Sequence, residues 1–340
     1  FAFALGVFVC IPSTLLAFSN GLVIGAFFGL MLSALLVSFL APGPLADKIP
    51  RALDALGDTA GKISVIIACA AVIGKCMMDS GAADRIVRSF LGLFGEQWSP
   101  LALLSSGFVL SVRVFFDTVF YLLVQLARSL HQRTQKNYLL YIISIACGAA
   151  ITHTLVPPTP GPLAMAENLS FDVGLMILMG TAVAIPCAIA GLAYAHFAQS
   201  RLAIPMRPIT GSTETDAPDD QLAGNELADD ELPGLLVASI PILLPVLLIG
   251  TNTVVSTIAR SADDESVWQS MVSVTSIFGN SSIALLISTA FALGLYILHR
   301  RPTTIEVGQS IENALMSAGV IILITAAGGA FGAMLKEAQV

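Results

Sequence analysis

Three side chains that can carry a charge or a proton stand inside apolar sequence: Arg113, Asp117 and His153. Arg113 and Asp117 are four apart, one helical turn, in the middle of the run from Pro100 to Leu130. Charges at that depth are costly against lipid, so such groups face protein or a wet cavity and mark a path for substrate or ions. Asp117 suits a coupling proton, because an acid in a dry site can keep its proton near neutral pH. A permanent pair with Arg113 is the competing reading. Arg113 could instead meet a substrate carboxylate directly, a task for which guanidinium is well shaped. His153 can exchange a proton near neutrality or donate to a bound anion, or else hold the carbonyls of the chain break that follows it.

That break is Thr152-His153-Thr154-Leu155-Val156-Pro157-Pro158-Thr159-Pro160-Gly161-Pro162. Proline lacks the backbone N–H and clashes with the preceding turn, so no helix runs through 157–162. Broken backbone survives at membrane depth only where it is buried in protein or lines water. Transporters build substrate sites near the midplane from such breaks. The hydroxyls of Thr152, Thr154 and Thr159 could bind those of a substrate, or bond back to their own helix. The backbone around Gly161 offers N–H groups and a helix end to an anion. Gly328 and Gly329 permit close backbone approach to a substrate, and equally serve tight helix packing, as does Gly332. Asn280 and Glu167 are weaker candidates, the first as glue between helices, the second at the outer water boundary.

The elements holding these residues must lie in a bilayer. Hydrophobic residues make up 56% and charged residues 11% of the chain, with a mean hydropathy of +0.84. Soluble domains carry about 25% charged residues. Several runs reach the roughly 20 apolar residues of a helical span, and none shows the alternation of a membrane strand. The expected class is an all-α integral membrane protein. The formal charge of −7 is concentrated in one loop and argues against nucleic acid as a partner. Cys10, Cys69, Cys76, Cys147 and Cys187 all fall in apolar runs and read as small buried hydrophobes. His131, His153, His196 and His299 are scattered and give no metal-ligand spacing. With no G-x-S-x-G elbow either, an enzyme is disfavoured, and no cofactor or metal is implied.

Taken in order, residues 1–18 and 21–40 read as spans. A polar connection follows over 41–58, with an amphipathic piece at Ile49–Leu56, and then a span at 60–78. Lys75 and Asp79 suggest an ion pair at its boundary. Residues 79–97 read as an amphipathic surface helix with Arg85 and Arg88 on its polar side. The run 100–130 is too long for one span and too short for two, which predicts a re-entrant hairpin with Arg113–Thr118 at its tip. Spans at 138–156, 172–198, 233–254 (kinked by Pro241 and Pro245), 270–298 and 314–335 follow. The basic groups Arg128, His131, Arg133 and Lys136, then Arg201 and Arg207, then His299, Arg300 and Arg301, all fall on one side, the cytoplasmic one. The chain therefore divides into an N-terminal membrane half at 1–198, a polar linker at 199–232 and the start of a C-terminal membrane half at 233–340. Composition makes 208–232 a disordered segment. The ends at Phe1 and Val340 read as those of a fragment, with part of the second half expected beyond Val340.

Sliding the chain by 258 positions superposes Ala60-Gly61 on Ala318-Gly319, Ile63 on Ile321, Ile66 on Ile324, Ala68 on Ala326 and Gly74 on Gly332. Asp54 falls on Glu312 and Asp79 on Glu337. If 100–130 does not cross, the two copies point opposite ways, the inverted repeat of many secondary transporters. If it crosses once, the repeat is parallel.

Phe115-Phe116-Asp117-Thr118-Val119-Phe120 and His153 through Pro162 together resemble the paired signatures of the gluconate permease (GntP) family. Ser317-Ala318-Gly319 through Thr325-Ala326-Ala327-Gly328-Gly329-Ala330-Phe331-Gly332 is similar to a third signature, and Lys62-Ile63-Ser64 with Asp79-Ser80-Gly81-Ala82 to a fourth. The resemblance runs from about residue 45 to the end. It implies a multi-pass proton symporter of the bacterial inner membrane, taking gluconate or a related small hydroxy-acid anion, with a transport domain moving against a scaffold. Thr159 stands where the resemblance leads one to expect a second histidine, and Arg113 where the family often has proline; both bear on substrate identity. A sodium-coupled carboxylate carrier, a pore and an intramembrane enzyme are the alternatives. A homo-oligomer is left open.

Overall fold

The computed structural model describes residues 24–112, 114–134, 137–157, 159–169, 171–202, 204, 206, 231–261 and 265–338. The expected span at 1–18, Arg113, Pro158, Lys136, Arg207, most of the 199–232 linker and the acidic pair Asp263 and Asp264 lie outside these residues. Every regular element among them is helical: α1 Ile24–Leu40, α2 Leu45–Asp79, α3 Ala82–Phe94, a 3-10 turn at Glu96–Trp98, α4 Ser99–Leu110, α5 Phe116–Thr134, α6 Tyr138–Leu155, α7 Pro160–Asn168, α8 Val173–Arg201, α9 Leu235–Ser261, α10 Glu265–Phe278, α11 Ser281–Arg300 and α12 Thr304–Glu337. Six of them, α2, α6, α8, α9, α11 and α12, are long and apolar enough to cross a membrane. Large apolar side chains of α8, among them Leu178, Val183, Ile189 and Phe197, stay exposed. In water that would be a liability; here the solvent on that face is lipid. The chain is a multi-pass membrane protein.

Two expected boundaries shift. The connection at 41–58 is not separate from the following span, because α2 runs unbroken from Leu45. Pro50, the sixth residue, cannot donate to the Ala46 carbonyl but does not end the helix. The turn ahead of it is tied by Lys48, whose buried ammonium donates to Phe39 O (2.7 Å) and Ala41 O (2.6 Å), satisfying carbonyls at the end of α1. The expected span at 270–298 is also two helices. Gly279-Asn280 divides α10 from α11, and Asn280 Oδ1 accepts from Ser282 N (3.0 Å) and Ile283 N (3.4 Å). Asn280 is thus an N-cap rather than glue in mid-span.

The prolines of α9 leave it continuous, and one consequence is visible. Pro245 has no N–H to give to Pro241 O, four residues earlier. Ser288 Oγ of α11 donates to that buried carbonyl instead, at 2.6 Å. This side-chain bond replaces a missing helical one and joins α9 to α11.

The direction of each helix follows from its cross-contacts. In α2 and α12, Arg51 pairs with Glu337 (3.8 Å), Thr59 lies against Gly329, and Asp79 accepts from Ser310 Oγ. The numbers rise in one helix and fall in the other, so the two run antiparallel. Shifted by 258, α1 and α2 would occupy 282–298 and 303–337, close to the observed α11 and α12. α1 packs on α12, and α11 packs on α2. Each pair therefore crosses over to the other.

On the other flank, Leu140 N donates to Gln199 Oε1 (3.0 Å), Gly191 meets Cys147 and Gly180 meets Leu155, so α6 and α8 are antiparallel. Ser288–Pro241, together with His299 Nε2 against Glu231 O (2.7 Å), makes α9 and α11 antiparallel too. Thr253 Oγ1 donates to Asp172 Oδ1 (2.9 Å) and so aligns the opposite ends of α8 and α9. These contacts put the α5–α6 turn, Arg201 and His299–Arg301 at one face of the bundle, as the charge pattern predicted.

Candidate functional site

Residues 111–115 interrupt the chain between α4 and α5, and 156–159 interrupt it between α6 and α7. The first interruption has no proline to cause it. Val114, 3% exposed, lies beside Gly74 of α2. The second is set by Pro157, Pro160 and Pro162, and Val156, Pro157, Thr159, Pro162 and Leu163 are buried.

The first interruption meets the last turn of α6, next to the second. The rings of Phe115 and His153 are 6.2 Å apart, edge to face at 70°. Lower down, Gly107 of α4 lies against Ile145 and Ala149 of α6, and Gly148 against the Leu104 carbonyl. A Cβ at Gly148 would overlap that carbonyl, so only glycine allows this crossing. α4 and α6 therefore rise together toward the breaks. α5 descends beside α6 to the turn where the His131 and Tyr138 rings lie 5.3 Å apart, tilted at 52°. Gly180 of α8 approaches the Leu155 carbonyl just as closely. Gly180 is the eighth residue of α8, so the second break lies about 10 Å below the start of that helix at 1.5 Å per residue.

Most of the residues singled out from the sequence collect here. Phe116 is half-buried and stacks on Phe120, with centroids 5.7 Å apart. Asp117 occupies the second position of α5 and Thr118 the third, half-buried. Thr152 is fully buried and donates to Gly148 O at 3.2 Å. Exposed Thr154 donates to Ala150 O at 2.8 Å, and buried Thr159 to Val156 O at 2.9 Å. All three hydroxyls thus bond back to local carbonyls, while their oxygens remain able to accept. Gly161 is exposed in the first turn of α7, with open space where a side chain would go. Glu167 falls in the same short helix.

Gly328 and Gly329 are elsewhere. A Cβ at Gly329 would stand 2.5 Å from Thr59 Oγ1, whereas one at Gly328 would meet nothing within 4 Å. Thr59 and Gly74 are 15 positions apart on α2, about 22 Å along the axis. Gly329 belongs to the α2–α12 contact and Gly328 stands beside it on α12, both away from the breaks.

Electrostatically, α5 and α7 both begin at the breaks; the first turn of α5 carries the N–H groups of Phe116, Asp117 and Thr118, whereas in α7 Pro160 and Pro162 have none and Leu163 N donates to Thr159 O, which leaves Gly161. Such ends favour anions. Among the described residues no group of three His, Cys, Asp or Glu side chains could hold a metal ion.

A second polar cluster went unrecognised as such in the sequence. Lys75 Nζ donates to Asp79 Oδ1 at 2.7 Å, the expected boundary pair. Asp79 also accepts from Ser310 Oγ of α12, and its backbone carbonyl from Arg300 Nε of α11 (3.2 Å). Three helices are locked by one residue. The available hint was the alignment of Asp79 with Glu337, since Glu337 makes the matching bond to Arg51 at the far end.

Comparison with known proteins finds a family and several relatives. The family model described as GntP family permease matches residues 4–340. An uncharacterized permease of Haemophilus influenzae is 29% identical over 308 residues, which cover 90% of this chain and 62% of that protein. A gluconate permease of Bacillus licheniformis is 28% identical over 92% of this chain and 69% of its own. The low-affinity gluconate transporter of Escherichia coli K12 is 28% identical over 93% of this chain and 67% of its own. This chain thus spans roughly two thirds of the length of these relatives. No solved structure matches it.

Proposed function

The chain belongs to the GntP permease family, and from that premise we propose that it imports gluconate or a related small hydroxy-acid anion, coupled to protons, across the bacterial inner membrane. The relatives are described as permeases and transporters rather than enzymes, and a 27% identical one from Escherichia coli K12 as an inner membrane permease. The single observation that carries the reading is the Phe115–His153 contact, which brings the first interruption against the last turn of α6, next to the second. The start of α5 cradles the carboxylate through backbone N–H groups and the helix dipole, and α7 adds the Gly161 N–H and its own dipole. Thr118, Thr152, Thr154 and Thr159 accept hydrogen bonds from substrate hydroxyls. Arg113 adds a guanidinium that suits a carboxylate.

Asp117 takes the coupling proton in this scheme, and His153 binds the substrate and relays that proton. Neutralising Asp117 when substrate is loaded keeps a net charge from crossing the dry part of the protein. We take α4 and α5 as a re-entrant hairpin, and α1–α2 and α11–α12 as inverted copies forming the scaffold. Support comes from the antiparallel course of α2 and α12 and from the exchange of partners between the two pairs.

The test is uptake of labelled gluconate by vesicles holding the full-length protein. An imposed proton gradient should drive accumulation above the equilibrium level, with or without sodium. Accumulation that needs sodium would replace the proton with that ion, and saturation-free current would make the protein a pore.

A further inference from the structure

Ser111 lies in the first interruption, is 0% exposed, and its hydroxyl finds no hydrogen-bond partner among the described residues. A buried hydroxyl left unpaired is unfavourable, and such groups in a native fold call for an explanation. Its position supplies one. Ser111 stands one turn beyond Gly107, on the face of α4 that touches α6. Thr152 stands one turn beyond Gly148, on the face of α6 that touches α4. Because α4 and α6 rise together toward Phe115 and His153, both hydroxyls lie on the break side of the glycine crossing.

Ser144 provides the contrast. It is also 0% exposed and also unpaired among the described residues. It sits one turn before Gly148 on the same face, however, so the contact of Gly148 with the Leu104 carbonyl separates it from the breaks. Burial and chemistry are the same, and only the side of the crossing differs.

We propose that Ser111 contacts the substrate, its hydroxyl pairing with one hydroxyl on the carbon chain of the hydroxy acid. This rests on the hydroxy-acid reading above and sharpens it: the site selects polyhydroxylated acids over plain carboxylates. A pocket that presents a buried polar group rejects an analogue lacking its partner, since that group is then left unpaired.

Proteoliposomes holding the full-length protein decide it, through the apparent KM for gluconate and for each monodeoxygluconate. Wild type should take one of these analogues about tenfold less well than gluconate, the equivalent of one hydrogen bond. Ser111→Ala should raise the KM for gluconate about tenfold and leave that analogue unaffected, so the two become alike. Ser111→Cys, nearly isosteric, should act in the same direction and guards against a misfolded alanine variant. Ser144→Ala should keep the wild-type profile. An equal rise for every analogue, no change in either Ser111 variant, or the same selective loss in Ser144→Ala would overturn the assignment. Wild type that takes up no hydroxy acid would instead sink the transport reading itself, an outcome visible before any variant is compared.

Discussion

The bundle of α4 to α8 and the antiparallel pair α2 and α12 use similar apolar composition for opposite ends. α2 and α12 are 35 and 34 residues long and unbroken. Their polar contacts sit near the ends, at Arg51–Glu337 and around Asp79. In the bundle the chain is interrupted twice and glycines bring backbones into contact. Continuous helices satisfy their own backbone and can serve as a frame. Interrupted ones leave donors for something else to bind, and in lipid that is tolerated only in shelter. On the proposed reading, the difference separates the part that holds from the part that carries.

The strongest way to break this comparison is to spoil the bundle's packing. Gly148→Leu would drive a side chain into the Leu104 carbonyl; overpacking costs about 1–3 kcal/mol or more, and backbone cannot yield as a side chain can. Loss of folded protein is expected on size-exclusion chromatography in detergent, and a monodisperse variant would refute the tight crossing. Next in size, Asp117→Asn should abolish proton-driven accumulation while substrate exchange survives. Uptake against a gradient at the wild-type level would remove Asp117 from the coupling step. His153→Ala should raise the KM for gluconate about tenfold, an effect of about 1.4 kcal/mol, and an unchanged KM would leave the ring a structural role.

The frame should respond differently. Asp79→Ala removes the acceptor shared by Lys75 and Ser310, and should lower thermal stability by about 1–3 kcal/mol with the KM unaltered. A KM shift without a change in melting would erase the division of labour. Smallest of all, Gly328→Ala has open space for its methyl group and should change neither stability nor transport.

Much of the bundle could be read from the sequence, because its signals are local. Prolines at 157, 160 and 162 set one break, and the misplaced pair Arg113 and Asp117 set the expectation of another at 113–118. The 258-residue offset brings the bounds of α1 and α2 close to those of α11 and α12. What escaped depends on partners far apart in sequence. Nothing near Asp79 announces Ser310 or Arg300, and nothing near Pro241 announces Ser288. Gly328 and Gly329 looked like site residues because glycine reads the same whether it admits a ligand or a helix. Only the neighbour Thr59 tells them apart from the breaks. The start of α2 was misjudged because its amphipathic first turns look like surface, and Lys48 is buried only by the returning α1.

The central claim is that the two interruptions form one substrate site. It is tested most directly by placing a single cysteine at Thr118 or at Thr154 in the full-length protein with its native cysteines removed, and timing alkylation with and without gluconate. One shared site predicts that gluconate slows labelling at both positions and leaves a cysteine at Gly328 untouched. Protection at only one break, or at Gly328 instead, would contradict it.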